Sequence, residues 1–337
     1  MDSLTQIVLG AACGELTMGK KIGNKAQLLG AIAGTLPDLD VLLTRAVHDS
    51  VNSLEIHRSY SHALPVQIVF AVPFAYLTYL LFKKQYSLKS FYLHWMLGFT
   101  THAILDSFTT YGTMLFLPFT NYLVGFNNIA VVDPLYTIPF MFILIGCLFM
   151  KRDNPKRYVW AKRAVYLSSV YMLLSFGFKL MAHKKFESEL VRQNIKYDNL
   201  STSPTMFNSV LWAGMAFTDS TIYTGEYSFF QHNNSIEFAV YPRKLYLQKG
   251  FEGRKLNTLL WFSQGKYLFD KSGDTLNIYL AKWGRTSFKA STVKEAYIFY
   301  HQLYKSKNGI ESKVIEPKFT GGELQTWLSI LWDRIWS

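Results

Sequence analysis

FYLHWMLGFTTHAILDSFTT, residues 91–110, is the stretch on which the reading of this chain turns. Its length is that of a membrane-spanning helix, for which about 20 largely apolar residues are needed. Yet it carries His94, His102 and Asp106. An ionisable side chain inside such a segment is costly, and normally faces a bundle interior or a wet cavity where it does something. His102 and Asp106 are four apart and so share one helix face. A neutral imidazole and a carboxylate at that spacing are a natural pair of metal ligands. The plainer alternative is a hydrogen-bonded pair that pins two helices together.

Outward from this stretch the chain keeps the same character. Of 337 residues, 50% are hydrophobic, 16% aromatic and only 17% charged, against about 25% charged in a soluble domain. Apolar runs at 63–82, 130–150 and 161–181 are long enough to span, and Gly- and Ala-rich runs at 2–19 and 26–44 suit close helix packing. The net charge of +12 raises nucleic acid as a partner. The basic residues, however, fall in clusters between apolar runs, where membrane topology and anionic headgroups explain them, and no nucleic-acid binding is expected. Cys13 and Cys147 both lie in apolar runs, which argues against a disulfide framework or a thiolate site. A cleavable signal peptide is not expected either, because the first lysines follow the first apolar stretch.

Twelve Lys and Arg residues (Lys20, Lys21, Lys25; Lys83, Lys84, Lys89; and six between 151 and 163) separate alternate runs, against Arg45 and Arg58 in the other connections. By the positive-inside rule the twelve face the cytoplasm, giving six passes with both ends outside. Asp38 and Asp40, His57 and His62, His102 and Asp106, and Asp133 then all meet at the outer face. Pro37-Asp38-Leu39-Asp40 ends a helical run, and an extended chain there would point both carboxylates one way. His57-Arg58-Ser59-Tyr60-Ser61-His62 needs a turn if its imidazoles are to converge. Arg58 could grip an anionic group such as phosphate. The expected metal shell is Asp38, Asp40, His57, His62, His102 and Asp106, with Asp38, Asp40 and Arg58 in catalytic roles. Mixed N and O ligands suit zinc first, then manganese or iron. His94 reads as interfacial, and His48, His183, His232 and His301 lack partners. Asp133, Asn127 and Asn128 are weaker supporting candidates, and Asp2 reads as a helix cap.

With these residues in view, the chain resembles the YdjM-like family of inner-membrane-bound, metal-dependent hydrolases named for regulation by LexA. The matching stretches are Met1-Asp2-Ser3-Leu4-Thr5-Gln6, Ala31 through Asp40, His57 through His62, and His102 through Ser107, covering about residues 1–140. Many relatives carry His where Gln6 stands, so Gln6 joins no site. The resemblance implies distant kinship to zinc-dependent phospholipase C, a helical fold with His and Asp ligands, in which a pair similar to His102 and Asp106 occurs. It thereby implies phosphoester cleavage, by analogy of fold.

From about Phe186 the composition turns polar and Tyr-rich. Strands are expected in 211–227, 235–247 and 276–282, with turns at Asn233-Asn234 and Ser272-Gly273-Asp274. In the segment 323–336, Leu324, Trp327, Leu328, Leu331 and Trp332 fall on one side of a helix, a stripe that reads as core packing before it reads as a membrane foot. The expected architecture is mostly α: a polytopic helical membrane bundle over 1–183, then a small α+β extracytoplasmic domain over 184–337. The function expected is a hydrolase of the bacterial inner membrane, acting on a lipid or envelope-linked phosphoester at the outer face, with membrane lipids as partners. A non-catalytic envelope scaffold, or an ion or metal transporter using the same residues, stands as the alternative.

Overall fold

The structure is a computed structural model that describes residues 1–46, 49–233, 235–285, 290, 292–297, 299–307, 309–316 and 321–336. His48 and Asn234 lie outside the described residues. The chain divides into two compact units. One comprises Met1–Ala46, Ile56–Phe176 and Met206–Asn208; the other Val47–Glu55, Gly177–Thr205 and Ser209–Ser337.

The first unit opens with α1 (Ser3–Ile22), whose N-cap Asp2 accepts from the Thr5 amide. Gly23 turns the chain with a left-handed φ of 61° into α2 (Asn24–Thr35). The two helices pack backbone to backbone. A Cβ placed on Gly10 would lie 2.2 Å from the Gly30 carbonyl, and one on Gly34 would lie 2.3 Å from the Gln6 carbonyl. No larger residue allows this approach, so the small-residue composition reads out as expected. After a 3-10 turn at Leu36–Leu39 comes α3 (Asp40–Ala46). Pro37 does end α2, but the chain beyond it is a 3-10 turn and not extended, so the condition for Asp38 and Asp40 to point one way is not met.

Next come α4 (Ser50–Ile56), a 3-10 turn at Tyr60–His62, α5 (Leu64–Leu81) and α6 (Leu88–Ser107). Gly98 of α6 meets Ala33, which seats α6 directly on α2. α5 and α6 share an aromatic layer of Phe74, Trp95 and Phe99. α7 (Pro134–Leu148) is shorter than the expected run, because Asp133 caps it and leaves 130–133 non-helical. α8 (Pro155–Arg192) runs for 38 residues. Among the described residues, three helical stretches are long and apolar enough to cross a membrane: Asn24–Ala46, Leu64–Leu81 and Pro155–Arg192. In α8, Arg157 grips Glu15 of α1 with both arms, at 2.9 and 2.6 Å, in an enclosed site. A fork of this kind supplies geometry as well as charge.

The second unit is built on two antiparallel meanders. One holds β1 (Asn199–Pro204), β2 (Leu211–Phe217), β3 (Thr221–Ser228) and β4 (Ala239–Pro242) in that order. After α9 (Arg254–Ser263), the other holds β5 (Tyr267–Ser272) and β6 (Thr275–Leu280). α10 (Val293–Ala296) intervenes before β7 (Tyr300–Ser306) and β8 (Gly309–Ile315), and α11 (Gly321–Trp336) closes the described chain. The expected strand at 211–227 is a hairpin, broken at Thr218–Ser220. The one at 235–247 shrinks to β4, because Lys244 takes a left-handed φ of 50° and opens a 3-10 turn. Gly273, at φ 57°, makes the expected turn between β5 and β6. α4 joins this unit through Glu55, which accepts from Arg254 and Thr258.

Candidate metal centre

Four side chains from four places in the sequence converge within the first unit. One ligand atom from each of Asp38, His62, His102 and Asp106 lies within 4.8 Å of all the others. The 3-10 turn after α2 delivers Asp38, the turn before α5 delivers His62, and one face of α6 delivers His102 and Asp106. Arg58 makes the second of these possible. Its left-handed φ of 59° folds the 57–62 segment back on itself, which supplies the turn its spacing requires.

The hydrogen bonds around the group fix where its lone pairs point. His102 Nδ1 lies 2.7 Å from the Gly34 carbonyl, which can only accept, so Nδ1 carries the proton and Nε2 is bare. Ser61 Oγ donates to Asp40 Oδ2 at 2.5 Å, so it accepts from His62 Nδ1 at 2.9 Å, and His62 Nε2 is bare as well. The two Nε2 atoms face each other at 3.0 Å. Asp38 Oδ1 is 3.4 Å from both, and Asp106 Oδ2 is 3.3 Å from His62 Nε2. Four acceptors this close repel unless a cation or a proton stands among them. His62, in the turn outside the spanning segments, registers this. Burial works against its protonation, but the facing carboxylates of Asp106 and Asp38 outweigh burial and raise its pKa.

Around these four is a layer that orients them. Asp40 and His57, expected in the same shell, stand one step outside it. Their side chains pair at 2.7 Å, and Asp40 Oδ2 also accepts from the Arg58 amide at 3.0 Å. Through Ser61, Asp40 steers His62, as a carboxylate behind a ligating imidazole does. Asp106 Oδ1 is held by Gln6 Nε2 at 2.9 Å and by the Met1 amino group, which leaves Oδ2 turned toward the imidazoles. The Arg58 guanidinium is 5% exposed, stacks over Tyr111, donates to Thr109 and lies 2.9 Å from Asp106 Oδ2. Its charge is committed to Asp106, which differs from the substrate-gripping arm that the motif brings to mind.

Two contributors were not legible in the sequence. Gln6, set aside for not being His, is 1% exposed and touches both Asp106 and the His102 carbonyl. Gly34 reads as packing, yet its carbonyl sets the His102 tautomer. Other expectations go elsewhere. His94 is fully buried against Thr17 (3.0 Å), not interfacial. Asp133 caps α7 and accepts from Tyr171, and Asn128 bonds Ser175, so neither supports the centre.

The fold and this centre together define a class: a helical membrane protein with an enclosed two-His, two-carboxylate group. The comparisons agree with that description. The family model for YdjM inner membrane protein matches residues 1–186, and the chain belongs to that family. It is also similar to the uncharacterized protein YfhP of Bacillus subtilis, 28% identical over 141 residues, which is 40% of this chain and 42% of that protein. The matched stretch thus spans less than half of the relative's length. No solved structure matches.

Proposed function

We propose that the chain is a metal-dependent hydrolase of the bacterial inner membrane, cleaving a phosphoester of a lipid or envelope-linked substrate at the outer face. The observation that carries this reading is the pair of bare Nε2 atoms at 3.0 Å with two carboxylate oxygens around them. Asp38, His62, His102 and Asp106 would hold the ion. Their N2O2 donor set fits zinc, with manganese or iron as the next choices, and not a sulfur-selective metal. Such an ion polarises a phosphoryl oxygen and lowers the pKa of a bound water toward neutrality. The chain's own residues do the rest. Asp38 is the ligand with an open flank, its side chain 21% exposed, so substrate approaches over it. Arg58, 2.9 Å from Asp106 Oδ2, keeps that carboxylate aimed. Asp40, braced by His57, holds His62 in its tautomer through Ser61. Leu39 and Tyr60, next in sequence to Asp38 and Ser61, are 45% and 57% exposed, apolar surface of the kind an acyl chain meets. The lysine distribution supports the outward orientation.

Metal content tests the reading. Purified wild type, supplemented with zinc, manganese and iron, is expected to retain one of them and to cleave a phosphodiester lipid, while His102→Ala does neither. A metal-free wild type would sink the proposal. Metal without hydrolysis of any phosphoester lipid would retain the centre and remove the reaction.

A relay reading has one observation in its favour. The α1–α6 seam is polar along its length: Cys13 with Thr101 at 3.5 Å, Thr17 with His94 at 3.0 Å, and Lys21 with Ser90 at 2.5 Å. Proton flux in proteoliposomes that falls in His94→Phe would favour transport over hydrolysis.

A further inference from the structure

α11 has two apolar faces. One is turned inward, with Leu331 only 4% exposed. The other is open: Leu328, Trp332 and Trp336 are 42%, 62% and 47% exposed. Being four residues apart, they line one side of the helix. The expected core stripe is therefore split, and Leu328 and Trp332 belong to its outer half. The Trp332 and Trp336 rings lie 5.7 Å apart, and Phe230, itself 49% exposed, stacks on Trp336 at 5.0 Å with planes 9° apart. The helix is fixed in this pose. Ser228 Oγ donates to the Ile335 carbonyl at 2.5 Å, and Arg334 donates to the Glu226 carbonyl at 3.1 Å. An apolar face displayed this firmly on a folded unit is there to meet something.

The same unit says what it meets. Phe229, next to Phe230, packs on Phe178 of α8 at 5.8 Å, and Tyr227 lies under Lys185 at 6.0 Å. Phe178 sits where α8 changes character. Past Lys179, Leu180 and Met181 are 57% and 58% exposed, as lipid-facing residues are, and the exposed Lys184 comes three residues after Met181. Apolar turns giving way to lysine mark a helix leaving a bilayer. The aromatic patch thus adjoins, through the neighbouring residue Phe229, the exit turn of a helix long and apolar enough to span.

We propose that Leu328, Trp332, Trp336 and Phe230 form a foot that lies in the headgroup region of the bilayer crossed by α8. Indole rings prefer that depth, with the apolar body among acyl chains and the N–H toward water. Lys184 adds attraction to anionic lipid. A second copy is a poorer occupant, because four side chains offer far less than the roughly 800 Å² per partner of a stable interface.

Spin labels test the foot. Cys13 and Cys147 are buried, so a cysteine placed on α11 labels selectively. Trp332→Cys, Trp336→Cys and, as the off-face control, Asp333→Cys would be made in the full chain in phosphatidylethanolamine/phosphatidylglycerol nanodiscs. The foot predicts an oxygen-to-nickel-chelate accessibility ratio several-fold higher at 332 and 336 than at 333. Equal nickel access at all three positions would overturn it. So would spin–spin broadening at 332 and 336 that disappears on dilution with unlabelled protein, which would assign the face to a second copy. The readout needs no enzymatic activity, so it is independent of the hydrolase reading.

Discussion

The two units bury charge in opposite ways. In the C-terminal unit the buried charges of Arg285, Arg243 and Lys282 are matched. Arg285 forks onto Glu226, Nε to Oε1 at 3.0 Å and Nη2 to Oε2 at 2.5 Å, with both side chains nearly enclosed. Arg243 spends its donors on the carbonyls of Tyr267, Thr218 and Gly265, and Lys282 donates to the Phe262 carbonyl. In the membrane unit Arg157 and Glu15 obey the same rule, and Asp106 has Arg58, Gln6 and the Met1 amine beside it, but the group of Asp38, His62, His102 and Asp106 still crowds acceptors together. Their remaining lone pairs face one another. A buried charge with complete partners is architecture, whereas buried acceptors aimed at a common point are a group that could hold a cation or a proton. Burial alone separates neither case.

The largest expected effect breaks a completed pair. Arg285→Ala leaves Glu226 buried without its fork and should cost about 3–5 kcal/mol of the unit's stability in denaturant unfolding. Metal content should not change. Replacing both partners by Leu should recover most of the loss. If the single substitution costs almost nothing, the contrast between the units fails on this side. On the other side, a metal that binds only the folded chain stabilises it by about 2.7 kcal/mol at a hundredfold excess over Kd. That shift in unfolding should be present in wild type and Arg285→Ala, reversed by a chelator, and absent in His102→Ala. No shift with zinc, manganese or iron would mean that protons alone fill the centre.

How much of this was legible in the sequence follows from the range of each force. His102 and Asp106 could be paired because one helix repeat fixes their spacing. That His62 would meet them could only be guessed from membrane side, since its approach depends on the positive φ of Arg58, which local pattern does not announce. Asp40 looks identical to Asp38 on paper. A single step along a 3-10 turn sends one to the ligands and the other behind them. Gly34 was readable as small but not as the carbonyl that orients His102. The α11 stripe was readable as amphipathic, but which of its residues pack against the sheets depends on tertiary contacts that periodicity does not contain. The meanders were harder still, because their pairings are long-range and strand ends were set by turns such as that at Lys244.

The layer behind the ligands gives a smaller effect that sharpens the distinction between Asp38 and Asp40. Asp40→Asn keeps the shape and removes the charge that holds Ser61, His57 and, through Ser61, His62. Loss of such a supporting group lowers metal affinity about 10- to 100-fold without abolishing binding. Isothermal titration should therefore show unchanged stoichiometry and weaker binding. Complete loss, equal to that of Asp38→Asn, would place Asp40 among the ligands.

The smallest effect lies in the C-terminal unit, at a buried imidazole whose two ring nitrogens have no hydrogen-bond partner among the described residues. His301 in β7 is 1% exposed, and neither ring nitrogen has a hydrogen bond. Burial lowers its pKa to about 4, with the charge of Asp49 pulling weakly the other way. An unfolded histidine titrates near 6.5. Between those values the unfolded chain takes a proton that the folded chain refuses, so stability falls as pH drops below about 6.5 and the loss is complete near pH 4. From pH 7 to 5.5 the drop assigned to His301 is about 1 kcal/mol. Urea unfolding at the two pH values should show His301→Leu less acid-sensitive than wild type by that amount. An equal slope in the two proteins would mean that water reaches the imidazole and that burial does not set its titration.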